Sequence, residues 1–376
     1  MLLREVETRD FRNLAPQRVA LGAHATVLFG PNGQGKTNFL EACYLLCTLR
    51  PLRAQKLAEL VRIDAEEAHL RGALSVDAGE REIEVTVRDG GRSARLDGKA
   101  VRDPDELFGG IAVVAFTPDD LWLVKGSPDG RRRLLDRAVQ NQMPVHLADS
   151  REYLRALKAR NQLLREGARD DLRDAFDVPL SRFGARIRLR RERLLDALRG
   201  PAARAFAQIT REDASLSLVY QASGRESDGL GAEAALRGEG ELEARLLSAL
   251  ARRLPRDRDR GYTSVGPHAD DLAVSLGEQP ARTFASQGQA RAAILAFKIA
   301  EIEGLRAAQG RAPLLLLDDV SSELDPERNA FLMTYLGAIG GQVVLTTTDP
   351  RLVSQAAAQA MFQRVWKGRI EHVSAP

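Results

Sequence analysis

The sequence predicts an α/β fold assembled from both ends of the chain, with a mainly helical insertion between the two halves. Three observations carry this. Near the N-terminus an apolar strand runs through a glycine-rich turn into an apolar helix, TVLFGPNGQGKTNFL at 26–40. Near the C-terminus two apolar strands end in polar residues, LLLLDD at 314–319 and QVVLTTTD at 342–349. Between them, from 126 to 255, the pattern is mostly Arg-rich and helix-periodic. Sheet patterns at both ends and helical patterns in the middle are what an inserted domain leaves in a sequence.

The N-terminal third alternates at period two through LLREVETRDF, ATVLFG, LRGALSVD, EREIEVTVRD and SARLDGKAV, and a strand IAVVAFTPDD follows at 111–120. SPDGRRRLLDRAVQ then starts a helix, with Ser127 as its N-cap and Pro128 at the first helical position. Helical patterning continues to about 254, with breaks expected near 170, at Gly200–Pro201 and in loops at 223–240. One strand, LSLVYQA, interrupts it at 216–222, and DLAVSL restores the sheet pattern. The 376 residues allow two or three domains, and 44% hydrophobic with 28% charged residues are ordinary globular values. The charged start MLLREVETRDF leaves no signal-peptide core, and no run reaches the ~18 apolar residues of a membrane span. A soluble, cytosolic protein is expected. Cys43 and Cys47 lie one helical turn apart in EACYLLCTL and read as reduced core residues.

Charge is nearly balanced, 55 Lys+Arg against 52 Asp+Glu, for a net +3. The basic residues cluster in RRR at 131–133, RIRLRRER at 186–193 and RRLPRDRDR at 252–260. Interspersed acids make these solvated helix faces by default; the other reading is a phosphate-contacting stripe.

The segment Gly30-x-x-x-x-Gly35-Lys36-Thr37 stands in the strand–loop–helix context that a P-loop requires. Gly30, Pro31, Asn32, Gly33, Gln34, Gly35 and Asn38 are expected to build the phosphate cradle with Lys36 and Thr37. Lys36 supplies charge between the β- and γ-phosphates of ATP, and Thr37 offers a hard oxygen to Mg²⁺. The strand LLLLDD supplies the matching acids: Asp318 for Mg²⁺ through water, and Asp319 to orient or deprotonate the attacking water. FASQGQARAAILAF at 284–297 places Ser286 as N-cap of a long apolar helix, with Gly288 allowing close approach. Such a helix start is either an anion site or merely a polar cap.

Directly after the acids comes SSELD, residues Ser321, Ser322, Glu323, Leu324 and Asp325. The order of P-loop, SQGQ helix, acidic strand and SSELD resembles the ABC-type ATPase heads, with their signature sequence and D-loop. The resemblance implies that Ser286, Gln287, Gly288 and Gln289 bind the γ-phosphate of a nucleotide held by a second subunit. More specifically, DFRNL, GPNGQGKTNFLEA, AFTPDDLWLVKGSPDGRRRLLD, GPHADD, FASQGQAR and LLLLDDVSSELD resemble the RecF family across essentially the whole chain. The family implies an ATPase head, with a mixed sheet and an N-terminal antiparallel part, at 1–125 and 256–376, and a helical arm at 126–255. It also implies ATP and Mg²⁺ as cofactors and an ATP-dependent homodimer on double-stranded or gapped DNA. RecO and RecR are the implied partners. Arg131, Arg132, Arg133, Arg186, Arg188, Arg190 and Arg191 are then the DNA candidates. Arg12 resembles a phosphate-contacting residue of related heads, and Arg53, with Arg50 as competitor, resembles one reaching the γ-phosphate. Thr347 or Thr348 would stand in for the histidine of transporters. No glutamine lies near FTPDD, so Asp119 and Asp120 are the available substitutes for a Q-loop. Ala269 and Ala290 depart from the family pattern, where Arg and Gln are usual. An ABC-transporter ATPase subunit is the alternative, against which stand the insertion and the missing histidine and glutamine. A P-loop kinase or GTPase leaves SQGQ and SSELD unexplained.

Overall fold

A computed structural model describes residues 2–54, 56–76, 79–101, 112–167, 170–211, 215–224, 238–320, 324–354 and 360–374. The first half of the chain runs β1 (Leu2–Arg9), β2 (Gln17–Ala20), β3 (Ala25–Phe29), α1 (Lys36–Thr48), β4 (Glu67–Val76), β5 (Gly79–Arg88), β6 (Gly91–Leu96), β7 (Lys99–Ala100) and β8 (Val113–Phe116). Helices α2 (Pro128–Gln142), α3 (His146–Glu166) and α4 (Asp170–Thr210) follow, then β9 (Leu216–Gln221) and α5 (Glu239–Arg260). The remainder is β10 (Asp271–Leu276), β11 (Gln279–Pro280), α6 (Gln287–Gln309), β12 (Leu314–Leu317), α7 (Pro326–Ile339), β13 (Val343–Thr347), β14 (Ala360–Trp366) and β15 (Arg369–Val373). Two compact units result: Met1–Asp119 with Leu305–Pro376, and Asp120–Gly304. The second unit is wider than the expected insertion at 126–255, because 256–304 groups with the helices.

The first unit holds two six-stranded sheets. One is antiparallel, in the order β2-β1-β4-β5-β6-β7. The other is β15-β14-β3-β13-β12-β8, parallel except for the edge strand β15. Helix α1 touches strands of both, which explains why its sequence is apolar all round rather than on one stripe. Phe39, Leu40, Leu45 and Leu46 are fully buried there, each contributing about 1.5–3 kcal/mol. The two cysteines share that core, and burial pushes both thiols up, Cys47 to about 12, so both are inert.

Strands β14 and β15 were not legible as the edge of this sheet. They are joined by Lys367 and Gly368, both at positive φ (47° and 77°), the two-residue turn that matches strand twist. Gly368 cannot be replaced here, because a Cβ would collide with the Asn13 carbonyl oxygen.

In the second unit, α4 packs against α3, α5 and β9, and β9 joins the antiparallel sheet β11-β10-β9. The break expected at Gly200–Pro201 does not occur: α4 continues through Pro179 and Pro201. Buried Leu194, Leu195, Leu198, Ala202, Ala205 and Phe206 keep an apolar stripe in register across the proline, and packing overrides the local breaker. Ser127 stands at the N-cap of α2, but its side chain makes no cap hydrogen bond; Pro128 alone fulfils the expected start. Among the described residues no helix is long and apolar enough to cross a membrane.

Candidate nucleotide-binding site

Strand β3 delivers the loop Gly30–Gly35 to the N-terminus of α1. That helix starts without a side-chain cap and without an acid in its first turn, so its first N–H groups are available to an anion. The loop is braced on three sides. A Cβ on Gly30 would collide with the Val365 carbonyl of β14, so only glycine permits that approach. The Lys367 N–H donates to Gln34 Oε1 at 2.8 Å, and the Gly368 N–H to the Gln34 carbonyl at 2.9 Å. Asn13 donates to the Gly33 carbonyl at 3.3 Å and accepts from Asn38 at 2.7 Å. Within the loop, the Gln34 amide donates to the Asn32 carbonyl at 3.4 Å. Lys36 is folded over the cradle, donating from Nζ to the carbonyls of Gly30 and Pro31 at 2.6 and 3.0 Å. Burial lowers its pKa, against the pull of Asp319 and Asp318.

The acidic strand β12 runs parallel between β8 and β13, which brings its C-terminal edge to the P-loop. Thr37 Oγ1 donates to Asp318 Oδ1 at 2.7 Å. Thr346 Oγ1 donates to the same oxygen at 3.0 Å and accepts from the Asp319 N–H at 2.9 Å. Burial raises the Asp318 pKa; the hydrogen bonds from Thr37 and Thr346 and the Arg53 charge oppose it. Thr37 and Asp318 together present two adjacent hard oxygens at the phosphate cradle. That donor set fits Mg²⁺, which takes one or two protein oxygens and keeps waters and phosphate oxygens for the rest.

Glu41 of α1, almost fully buried, organises the flanking basic residues. Its Oε2 lies 2.6 Å from Arg12 Nε, and its Oε1 accepts from the Arg53 and Ala54 N–H groups at 3.0 Å each. Arg53 Nη1 is 3.7 Å from Asp318 Oδ2, and its Nε is 3.9 Å from Asp119. Arg53, one of the two competing arginines, thus lies beside the acidic strand. Asp120 is buried, 3.7 Å from Lys298. Thr347 is buried with its hydroxyl turned to the backbone of Asp349, while Thr348 lies exposed beyond β13. Within LTTT it is Thr346, neither of the two expected threonines, that touches the acids. A strand LTTT beside LLLLDD offered the signal, but only the register decides which hydroxyl faces the acids.

Ser286 caps α6 reciprocally. Its Oγ accepts from the Gln289 N–H at 3.1 Å, while Gln289 Oε1 accepts from the Ser286 N–H at 3.1 Å. Ser286 and Gln287 are exposed, Gly288 and Gln289 half-buried, and Ala290 is buried behind them. Ser321, Ser322 and Glu323 lie outside the described residues; Leu324 follows them, and Asp325 caps α7 by accepting from the Arg328 N–H at 3.0 Å.

Most arginines of the two basic clusters at 131–133 and 186–191 are taken up in ion pairs within the fold. Arg131 forks onto Asp271 (2.7 Å twice), Arg188 onto Asp270 (2.8 and 2.7 Å) and Arg191 onto Asp136 (2.7 and 2.8 Å). All three arginines are buried, so they hold the unit together and are not a phosphate stripe. Arg190 pairs with Asp149 at 2.6 Å, and Arg186 with Glu239 at 2.7 Å. Arg132 donates to the Asp270 carbonyl at 2.7 Å. Among these residues Arg133 alone is more than half exposed, at 53% of its side chain.

A P-loop joined to an acidic strand across a mixed sheet, with an antiparallel sheet over the P-loop helix, defines a P-loop ATPase head of the SMC type. The family described as RecF/RecN/SMC N terminal domain matches residues 2–370. The DNA replication and repair protein RecF of Myxococcus xanthus is 53% identical over 360 residues, covering 95% of this chain and 93% of its own. RecF of Geobacter sulfurreducens is 38% identical, covering 93% of each. A solved structure of the recombination mediator protein RecF-ATPrS in the RecFOR pathway superposes with a TM-score of 0.88 at 30% identity, covering 99% and 98%. An Smc head bound to the C-winged helix domain of ScpA shares the fold alone, with a TM-score of 0.56 at 16% identity, covering 99% of this chain and 96% of its own. The chain belongs to the RecF family.

Proposed function

We propose that this chain is an ATPase of DNA replication and repair that joins a second copy head to tail around two ATP molecules and closes on double-stranded or gapped DNA. The observation that carries the reading is the 2.7 Å hydrogen bond from Thr37 to Asp318, which ties the P-loop to an acidic strand 281 residues away. Its support is membership of a family with solved ATP-bound members in the RecFOR pathway.

In this reading Lys36 leaves the Gly30 and Pro31 carbonyls to bind between the β- and γ-phosphates, and Thr37 and Asp318 are the residues that would hold Mg²⁺. The metal, when bound, neutralises charge on the β- and γ-phosphate oxygens. Asp319 orients the attacking water and takes its proton. Arg12, whose guanidinium is held by Glu41, and Arg53, whose backbone N–H is, reach the nucleotide phosphates. Ser286 of one copy donates to the γ-phosphate bound by the other, so cleavage of that phosphate removes the link and opens the dimer. The DNA contact falls to exposed basic residues such as Arg133, and DNA stimulates turnover by favouring the closed dimer. RecO and RecR, named by the pathway of the relatives, are the proposed partners, and the cytoplasm is the proposed location.

Sedimentation velocity with and without ATP, and with and without duplex DNA, tests the reading. Expected is a monomer without nucleotide, a dimer with ATP, and co-sedimentation with DNA only when ATP is present. A monomer under all four conditions contradicts it.

A further inference from the structure

The Ser286 cap follows directly on the segment 281–285, and one side chain bonds that segment's carbonyls. Residues Ala281–Phe284 form a single helical turn, whose last carbonyls have no partner within the turn. Lys125 Nζ donates to two of the carbonyls just ahead of Ser286: Ala285 at 2.6 Å and Arg282 at 3.2 Å. An ammonium group suits this position, because it carries three donors and a positive charge that favours a helix C-terminus. The stretch holding Lys125 is itself fixed. Leu123 and Val124 are buried, and Asp120 lies 3.7 Å from Lys298, a buried residue of α6. Lys298 is 3.5 Å from Glu301, which accepts from Asn141 at 2.8 Å. Residues 120–125 thus grip α6 at Lys298 and the approach to it at 282–285.

We infer that Lys125 is a positioning residue for the Ser286 cap: it holds the Arg282 and Ala285 carbonyls so that Ser286 and the first N–H groups of α6 are presented in one fixed arrangement to a phosphate. It touches no substrate. The inference rests on the dimer reading for its functional consequence, but its structural half concerns one nucleotide-free chain. Because Lys125 is exposed, replacing it leaves the core intact.

The test compares Lys125→Met and Lys125→Arg with the wild type. In nucleotide-free protein, hydrogen exchange of the 281–290 amides should quicken at least on the order of tenfold in Lys125→Met, which loses both charge-assisted hydrogen bonds. Lys125→Arg, which keeps charge and donors, should restore most of the protection. With ATP, Lys125→Met should bind nucleotide as tightly as wild type through its intact P-loop, yet dimerise at least tenfold more weakly. Unchanged exchange at 281–290 in Lys125→Met overturns the inference, as does normal dimerisation of that variant while the wild type dimerises. A wild type that never dimerises with ATP instead overturns the dimer reading, and the exchange comparison still decides whether Lys125 fixes the cap.

Discussion

Asp319 has a φ of 52°, the left-handed region that Asp and Asn tolerate better than other side chains carrying a Cβ. Asp319→Asn therefore keeps backbone and shape while removing the base. We expect nucleotide affinity within twofold of wild type and hydrolysis slowed by about 10²–10⁴, the usual worth of general-base catalysis. Steady-state phosphate release and a fluorescent-nucleotide titration check the two halves; wild-type turnover would remove Asp319 from the water-orienting role. Lys36→Ala acts earlier. It removes the ammonium group that spans the Gly30 and Pro31 carbonyls, so ATP-dependent DNA binding should vanish in a filter-binding assay. These residues were legible because a phosphate cradle and its acids need fixed residue types at fixed spacing. Their supports were not. Thr346, Glu41, Asn13 and the Lys367–Gly368 turn act through register and turn geometry, which a linear pattern does not display.

At the level of elements, the arginine runs of α2 and α4 show how a pattern misleads. Read locally, RIRLRRER is a charged face. In the fold, its partners arrive from elsewhere, Asp136, Asp149 and Asp270, and no local spacing announces them. Asp270 also accepts from Tyr220 and Ser223. Burial pushes its carboxyl up, but the Arg188 charge and the hydrogen bonds outweigh that and hold it below its ordinary value. A carboxylate depressed in the fold stabilises above about pH 4, its unfolded value, and that stability is lost as pH falls through the folded value. Arg188→Met strands the buried charge and should cost about 3–5 kcal/mol at neutral pH, read as a lower urea midpoint. The gap to wild type should narrow on acidification, first above about pH 4 as the stranded, buried carboxyl of the variant takes up a proton, then below it as the wild type loses its pair. A midpoint unchanged at neutral pH would mean the pair is not structural. The same logic explains α4, whose Pro201 looked like a break until tertiary packing supplied the stripe around it.

For the whole molecule, clamping of DNA should be electrostatic and largely sequence-independent. We expect log K to fall with log salt at a slope of roughly −0.9 per phosphate neutralised, with ~4–8 contacts per dimer. Replacing exposed Arg133 should reduce that slope, while replacing buried Arg188 should change stability and leave the slope alone; a salt-insensitive binding constant would contradict the electrostatic account. The fold class and both halves of the P-loop centre were readable from the chain's two ends. The extent of the second unit was not, since 256–304 carries sheet and helix signals yet packs with the helical segment. The central claim is that Ser286 works on a nucleotide held by another copy. Mixing two inactive variants tests it most directly. Ser286→Arg blocks the cap beside a sound P-loop, and Lys36→Ala impairs the P-loop beside a sound cap. In a mixed dimer the good P-loop of one meets the good cap of the other. At high protein concentration with duplex DNA, the mixture should regain part of the ATPase activity that neither variant shows alone; Ser286→Arg hydrolysing ATP normally by itself would contradict the claim and leave Ser286 as no more than a helix cap.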